Sequence, residues 1–184
     1  PRALRLEADQ RAADGRPYKL LVVDDRPESC QLLVKLLKQF GFAAYSAGNG
    51  LDALRAWQAE RPHLIWMDMR MPVMDGYETT RRIKALPDGQ HTTIIALTAS
   101  GLEDERERTL AVGCDDFVRK PFRESEIVEK LEHYLGARFV YETETGDRGP
   151  VPLLSLSQCS VSAKWLDALR QAAIEANADK VIAL

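Results

Sequence analysis

The sequence contains few cysteines, and none of them stands in a pattern that binds metal or builds a disulfide framework. Cys30, Cys114 and Cys159 are widely spaced along 184 residues. Their odd number and their spacing argue against a disulfide-stabilised fold and favour a reducing, cytoplasmic location. The absence of a Cys-x-x-Cys motif and of a Cys/His cluster argues against a zinc site.

Long apolar runs and an excess of positive charge are also absent. No stretch of the sequence is long enough to span a bilayer, and no signal-peptide pattern is present. The 25 Lys and Arg residues against 28 Asp and Glu residues give a net charge of −3, which offers no broad attraction for nucleic-acid phosphates. We therefore expect no nucleic-acid partner and no membrane contact by this segment.

The sequence does contain a regular alternation of short apolar runs and helical patterns. Strands are predicted over 19–23, 42–46, 63–67, 93–98 and 116–119, and helices over 27–40, 51–59, 76–86, 102–111 and 124–135. Five successive strand–helix units predict an α/β fold in which a parallel sheet is covered by helices on both faces.

Charged residues follow three of the predicted strands. Asp24 and Asp25 follow the first strand, Asp68 follows the third and Lys120 follows the fifth. Because ligands bind beyond the carboxyl ends of parallel strands, we expect three carboxylates and one ammonium group in a single crevice. Carboxylates this close raise each other's pKa unless a cation is present. The pattern therefore predicts a divalent metal site with one carboxylate oxygen available to react.

Four short motifs at these strand ends resemble those of a known family. They are Val22-Val23-Asp24-Asp25, the stretch MDMRMPVMDG at 67–76, Ala96-Leu97-Thr98-Ala99 and the stretch FVRKPF at 117–122. In this order they are similar to the receiver domain of two-component signalling, the phosphoacceptor module of response regulators and hybrid histidine kinases. The resemblance covers about residues 18–136 and implies a flavodoxin-like (βα)5 doubly wound sheet with strand order 2-1-3-4-5.

The resemblance also implies roles for individual residues. Asp68 would be the phosphoacceptor, and Lys120 would contact the phosphoryl oxygens as a point charge. Mg²⁺, which prefers oxygen ligands, would be held by Asp24, Asp25, Asp68 and the backbone carbonyl of Arg70. The peptide bond between Lys120 and Pro121 would be cis.

Thr98 and Phe117 are the residues of a conformational switch in this interpretation. The Thr98 hydroxyl would turn toward the aspartyl phosphate, and the Phe117 ring would rotate into the space that it leaves. The responding surface would be the fourth helix, the fifth strand and the fifth helix. The charge run at 103–108 lies on this surface, where we expect a solvated helix face rather than a homodimer contact.

The flanking segments are predicted to be simpler. Residues 1–17 and 137–160 are expected to be linkers around a receiver domain at 18–136. A short, truncated helical segment is predicted at 161–184, with an amphipathic helix over 163–176 and the start of another helix at Asp179. Trp165 and Leu169 of that helix are expected to pack on the receiver or on a second copy. Since the chain begins at Pro1 without Met, we interpret it as a piece of a longer protein.

The leading functional hypothesis is a phosphoacceptor module rather than a conventional enzyme. It would take a phosphoryl group from a phosphohistidine of a histidine kinase or a phosphotransfer domain. The sequence is similar to receivers near the C-terminus of bacterial hybrid sensor kinases, and a stand-alone response regulator is the alternative parentage. A phosphate-independent interaction module also stays open. An aspartate-nucleophile phosphohydrolase is disfavoured because Arg70 stands where such enzymes place an acid two residues beyond the nucleophile.

Overall fold

A five-stranded parallel sheet forms the centre of the computed structural model, which describes residues 3–7, 12, 15–99 and 103–141. Seven strands occur in the described residues: β1 Ala3–Leu6, β2 Lys19–Val23, β3 Ala43–Ala47, β4 Leu64–Asp68, β5 Thr93–Thr98, β6 Asp116–Arg119 and β7 Phe139–Tyr141. The helices are α1 Pro27–Phe40, α2 Gly50–Glu60, α3 Gly76–Lys84, α4 Glu103–Ala111 and α5 Glu124–Leu135. The sheet order is β3-β2-β4-β5-β6. Counted from β2, this is 2-1-3-4-5, so the predicted fold class is confirmed.

Alternate residues of the central strands pack into separate cores on the two faces of the sheet. Every residue of β4 is buried, as expected for a strand with helices on both sides. One core joins Leu20, Val22 and Trp66 of the sheet to side chains of α1 and α5. The opposite core joins the intervening residues, such as Val23 and Met67, to α2 and α3. The rigid sheet fixes the positions from which the charged residues emerge.

Local signals in the sequence set the helix ends. Pro27 lies in the first turn of α1, and Gly41 ends this helix in the left-handed conformation with φ of 101°. The Asp75 side chain caps α3 by accepting a hydrogen bond from the Glu78 amide at 2.8 Å. The helix ends at Lys84, earlier than predicted, because Pro87 disfavours the helical conformation at the preceding residue, Leu86. A 3₁₀ turn follows at Pro87–His91.

Two short strands lie in the segments predicted to be linkers, 1–17 and 137–160. Ala3–Leu6 form β1, which pairs antiparallel with β7. We call this two-stranded sheet the terminal ribbon. Phe139 of the ribbon is 5% exposed, and its ring lies 5.3 Å from that of Phe40 and 6.2 Å from that of Phe42. The ribbon escaped prediction because each strand is very short and its partner lies more than a hundred residues away.

Other predictions concern residues outside the described part of the chain. Three of them lie outside the described residues: the helix at 163–176, the contact of Trp165 and most of the linker at 137–160. The domain boundaries accordingly stay predictions. Among the described residues, no helix has both the length and the apolar character that a membrane span requires.

Candidate functional site

The three aspartates come together because their strands are neighbours. Val23 at the end of β2 is in register with Met67 of β4, so the next residues, Asp24 and Asp68, lie side by side. Carboxylate oxygens of Asp24, Asp25 and Asp68 all lie within 4.8 Å of one another. Asp24 is 3% and Asp68 9% exposed, whereas Asp25 faces solvent. The structure thus contains the acidic cluster expected from the sequence.

Lys120 supplies the positive charge of this cluster. Its Nζ donates hydrogen bonds of 2.7 Å to Oδ2 of Asp24 and of 2.7 Å to Oδ2 of Asp68. Burial alone would lower the pKa of Lys120, but the hydrogen bonds and charges of the two aspartates outweigh it and raise the pKa above its ordinary value. The ammonium group therefore stays charged throughout the neutral range.

Backbone amides fix the other oxygen of each aspartate. The Arg26 amide donates to Oδ1 of Asp24 at 2.9 Å, and the Arg70 amide donates to Oδ1 of Asp68 at 3.0 Å. Each carboxylate is thereby held in one orientation, while its oxygens keep lone pairs for further partners. An all-oxygen donor set of this kind, with one member open to water, fits Mg²⁺, which keeps several water ligands.

Thr98 lies at the end of β5 beside the cluster. It is 3% exposed, and its carbonyl oxygen accepts a 2.7 Å hydrogen bond from the amide of Lys120. This bond ties β5 to the segment that carries the ammonium group. The peptide bond between Lys120 and Pro121 is cis, as the resemblance implies. Phe117 lies two positions before the end of β6 and is only half-buried against the core that contains Met67.

Two contacts of α4 were not anticipated from the sequence. Glu105 pairs with the guanidinium of Arg70 at 3.2 Å, and the guanidinium of Arg106 lies 5.5 Å from the centre of the Phe117 ring. The sequence predicted a solvated helix face here, because a run of alternating charges carries no signal that distinguishes a paired residue from a solvated one. Glu105, although acidic, lines the same cleft as the aspartates.

The cleft itself has a volume of about 270 Å³. It is lined by Asp25, Arg26, Asp68, Met69, Arg70, Leu97, Thr98, Ala99, Glu105 and Lys120. A fixed carboxylate, a fixed ammonium group and oxygen ligands for a metal are the components needed to accept a phosphoryl group by in-line attack.

Comparison with known proteins agrees with this arrangement. The family model for the response regulator receiver domain matches residues 20–132. The sensor histidine kinase GacS of Pseudomonas protegens is 34% identical over 139 residues, which are 74% of this chain but 15% of GacS. The chain therefore spans a small part of that curated relative.

Solved structures give the same result. The receiver domain of sensor histidine kinase PA1611 from Pseudomonas aeruginosa, with a magnesium ion coordinated in its active site cleft, is 35% identical with a TM-score of 0.61. The match covers 65% of this chain and 98% of that domain. The receiver domain of Saccharomyces cerevisiae Ssk1, solved in complex with the histidine phosphotransfer protein Ypd1, is 25% identical with a TM-score of 0.62, over 65% of this chain and 90% of that one. Fold, cleft and sequence agree that this chain belongs to the response regulator receiver domain family of two-component signalling.

Proposed function

We propose that Asp68 is the phosphoacceptor of this receiver domain. The observation that carries the proposal is the cluster itself: a mostly buried carboxylate with one oxygen fixed by the Arg70 amide and the other bonded to Lys120. A carboxylate oxygen forms the new P–O bond as the P–N bond of a phosphohistidine breaks, and the imidazole nitrogen keeps the electron pair. Lys120 stays in place to contact the phosphoryl oxygens.

Asp24, Asp25, Asp68 and the Arg70 carbonyl are the proposed ligands of Mg²⁺. When bound, the ion would neutralise charge on the phosphoryl oxygens. The convergence of the three carboxylates within 4.8 Å supports this assignment, because the single charge of Lys120 offsets only one of their negative charges and a divalent cation would offset the rest. Thr98 and Phe117 are the proposed switch residues. The position of Thr98 on the cleft wall and the half-buried ring of Phe117 support these roles.

The proposed donor is a phosphohistidine on a histidine kinase or a phosphotransfer protein. The likeness to GacS and to the Ssk1 receiver, which was solved with its phosphotransfer protein, supports this class of partner. We propose that the chain is the receiver of a hybrid sensor kinase and acts in the cytoplasm, where the buried free thiols of Cys30 and Cys114 would stay reduced.

The decisive experiment is intact mass spectrometry after incubation with acetyl phosphate and Mg²⁺. The wild type should gain one phosphoryl group and Asp68→Asn none. Asp75→Asn is the matched control, because Asp75 is a nearby acid whose side chain caps α3 instead of facing the cluster. A phosphoryl group on Asp68→Asn, or none on the wild type with Mg²⁺ bound, would contradict the assignment. The second outcome would favour the phosphate-independent interaction module.

A further inference from the structure

The side chain of Arg70 connects the acceptor loop to α4. Arg70 lies two residues beyond Asp68, and its Nη2 contacts Oε1 of Glu105 on α4 at 3.2 Å. The Glu105 side chain is only 12% exposed, whereas that of Arg70 is 71% exposed. The acid is therefore mostly buried in the cleft wall, and the more exposed arginine, which also lines the cleft, contacts it.

The ion pair between Arg70 and Glu105 is one that a phosphoryl group could replace. It joins one guanidinium nitrogen to one carboxylate oxygen, while a guanidinium can make two parallel bonds to a phosphate. A phosphoryl group on Asp68 would bring roughly −1.5 to −2 charge into the cleft that Glu105 also lines. That charge attracts Arg70 and repels Glu105, so the two residues of the ion pair are driven apart.

The neighbouring residue on α4 makes the second contact. The guanidinium of Arg106 lies 5.5 Å from the Phe117 ring centre on β6, where it covers the ring of the proposed switch residue. In the unmodified domain the beginning of α4 is therefore held by two contacts: the ion pair of Glu105 with Arg70, which a phosphoryl group would break, and the contact of Arg106 with Phe117.

We propose that the Arg70 guanidinium exchanges one anionic partner for another. It holds Glu105 in the unmodified domain and transfers to the phosphoryl oxygens when Asp68 is modified, which releases the first turns of α4. This inference rests on the proposed function of Asp68. It adds Arg70 as a residue that contacts the phosphoryl group, and it identifies Glu105 as the partner that Arg70 gives up.

The test is hydrogen exchange of the α4 amides in the complete chain, measured by mass spectrometry with and without beryllofluoride and Mg²⁺ as a phosphoryl mimic. In the wild type, the mimic should speed exchange over α4. Glu105→Gln should speed it about two- to fivefold without the mimic, the factor expected for a partly exposed ion pair, and should respond little when the mimic is added. Glu78→Gln, which breaks an ion pair to Arg81 and Arg82 on α3, is the control that should behave as the wild type.

A double variant in which the charges of residues 70 and 105 are swapped provides the sharper test. In the double variant Arg70→Glu with Glu105→Arg, the ion pair is restored with reversed polarity, so α4 should be protected without the mimic. Because the arginine would then be on the helix, the mimic should leave α4 protected instead of releasing it. Fast exchange in the unmodified double variant, or release by the mimic as in the wild type, would overturn the proposal.

The two proposals fail separately. Failure of acetyl phosphate to modify the wild type contradicts the role of Asp68. Normal modification of the wild type together with unchanged α4 exchange in Glu105→Gln contradicts only the exchange of Arg70, since the resting ion pair is measured without any phosphoryl group.

Discussion

At the scale of single residues, the cleft depends on one ammonium group that contacts two buried acids. The Nζ of Lys120 contacts Asp24 and Asp68 at equal distances of 2.7 Å. Removing one partner of such a group leaves the other charges without compensation in a mostly buried site. Lys120 therefore stabilises the resting cluster and stands where a phosphoryl group would need a counter-charge.

Replacement of Lys120 by Met should slow modification by acetyl phosphate. Met preserves an unbranched apolar side chain but removes the charge that would stabilise the transferring group, and we expect the initial rate to fall by about 10²-fold. The rate is followed by intact mass. Lys130→Met is the matched control, because Lys130 pairs with Asp116 at 2.7 Å and is not among the residues lining the cleft. Equal rates for Lys120→Met and the wild type would contradict the role of Lys120.

Asp116 at the beginning of β6 should contribute to stability in a pH-dependent manner. Burial alone would raise its pKa, but bonds from Lys130, the Phe117 amide and Tyr134 outweigh it and lower the pKa below its ordinary value of 3.8. A lowered folded-state pKa contributes stability that is present above 3.8 and is lost as the pH falls through the folded-state value.

Urea unfolding at a series of pH values checks this contribution. Between about pH 5 and pH 2, the wild type should lose more unfolding free energy than Asp116→Asn, which has no carboxylate to protonate at this position. The comparison uses the difference between pH values within each protein, so any constant effect of the substitution cancels. If both proteins lost the same unfolding free energy over this pH range, the proposed contribution of Asp116 would be contradicted.

At the scale of elements, the close approach of α3 to the acceptor strand requires a glycine. A Cβ on Gly76 would lie 2.3 Å from the carbonyl oxygen of Asp68 and 2.8 Å from Cα of Met69, and both are backbone atoms with little freedom to move. The Gly76 amide also donates to the Met69 carbonyl at 3.3 Å. The first turn of α3 is thus packed directly against the backbone that presents the proposed acceptor.

Gly76→Ala should consequently disturb both stability and the acceptor. We expect a loss of about 1–3 kcal/mol in unfolding free energy from overpacking, together with slower acetyl phosphate modification because Asp68 is displaced. Gly48→Ala is the control, since a Cβ at Gly48 meets nothing within 4 Å. Its unfolding free energy should change by less than about 0.5 kcal/mol. Equal stability of the two variants in urea unfolding would contradict this account.

The same elements show what the sequence can predict and why. The five strands and five helices follow from alternation of apolar runs, and the caps at Gly41 and Asp75 follow from local backbone chemistry. The proximity of Asp24 and Asp68 follows from a rule of parallel sheets. The pairing of Arg70 with Glu105 and of β1 with β7 depends on side-chain reach and on partners remote in sequence, for which no local pattern exists.

At the scale of the whole molecule, the terminal ribbon extends the core beyond the predicted domain. The aromatic ring of Phe139 packs against Phe40 at the end of α1 and against Phe42 just after it. Arg138 pairs with Glu7 at 2.9 Å, which adds a polar contact between the two flanking segments. A domain cut at 18–136 would lose both strands and expose the aromatic surface that they cover.

Phe139→Ala should therefore destabilise the domain by about 3 kcal/mol, the cost typical of removing a buried aromatic ring. Tyr141→Phe is the control, because it keeps the ring of a partly exposed ribbon residue and removes only the hydroxyl that bonds Glu132. It should cost about 1 kcal/mol or less. Chemical denaturation of the two variants measures the difference. If the ribbon had no structural role, both variants would lose the same small amount of unfolding free energy.

The ribbon also determines how the domain responds to force. Ala3 at the start of β1 is in register with Tyr141 at the end of β7, so the two outward-leading ends lie together. Tension applied through these ends would open the ribbon one rung at a time, as a zipper opens, instead of shearing all its rungs at once. The ribbon would therefore open at low force and lengthen the connections on both sides of the domain while the β2–β6 sheet and its acidic cleft stay intact.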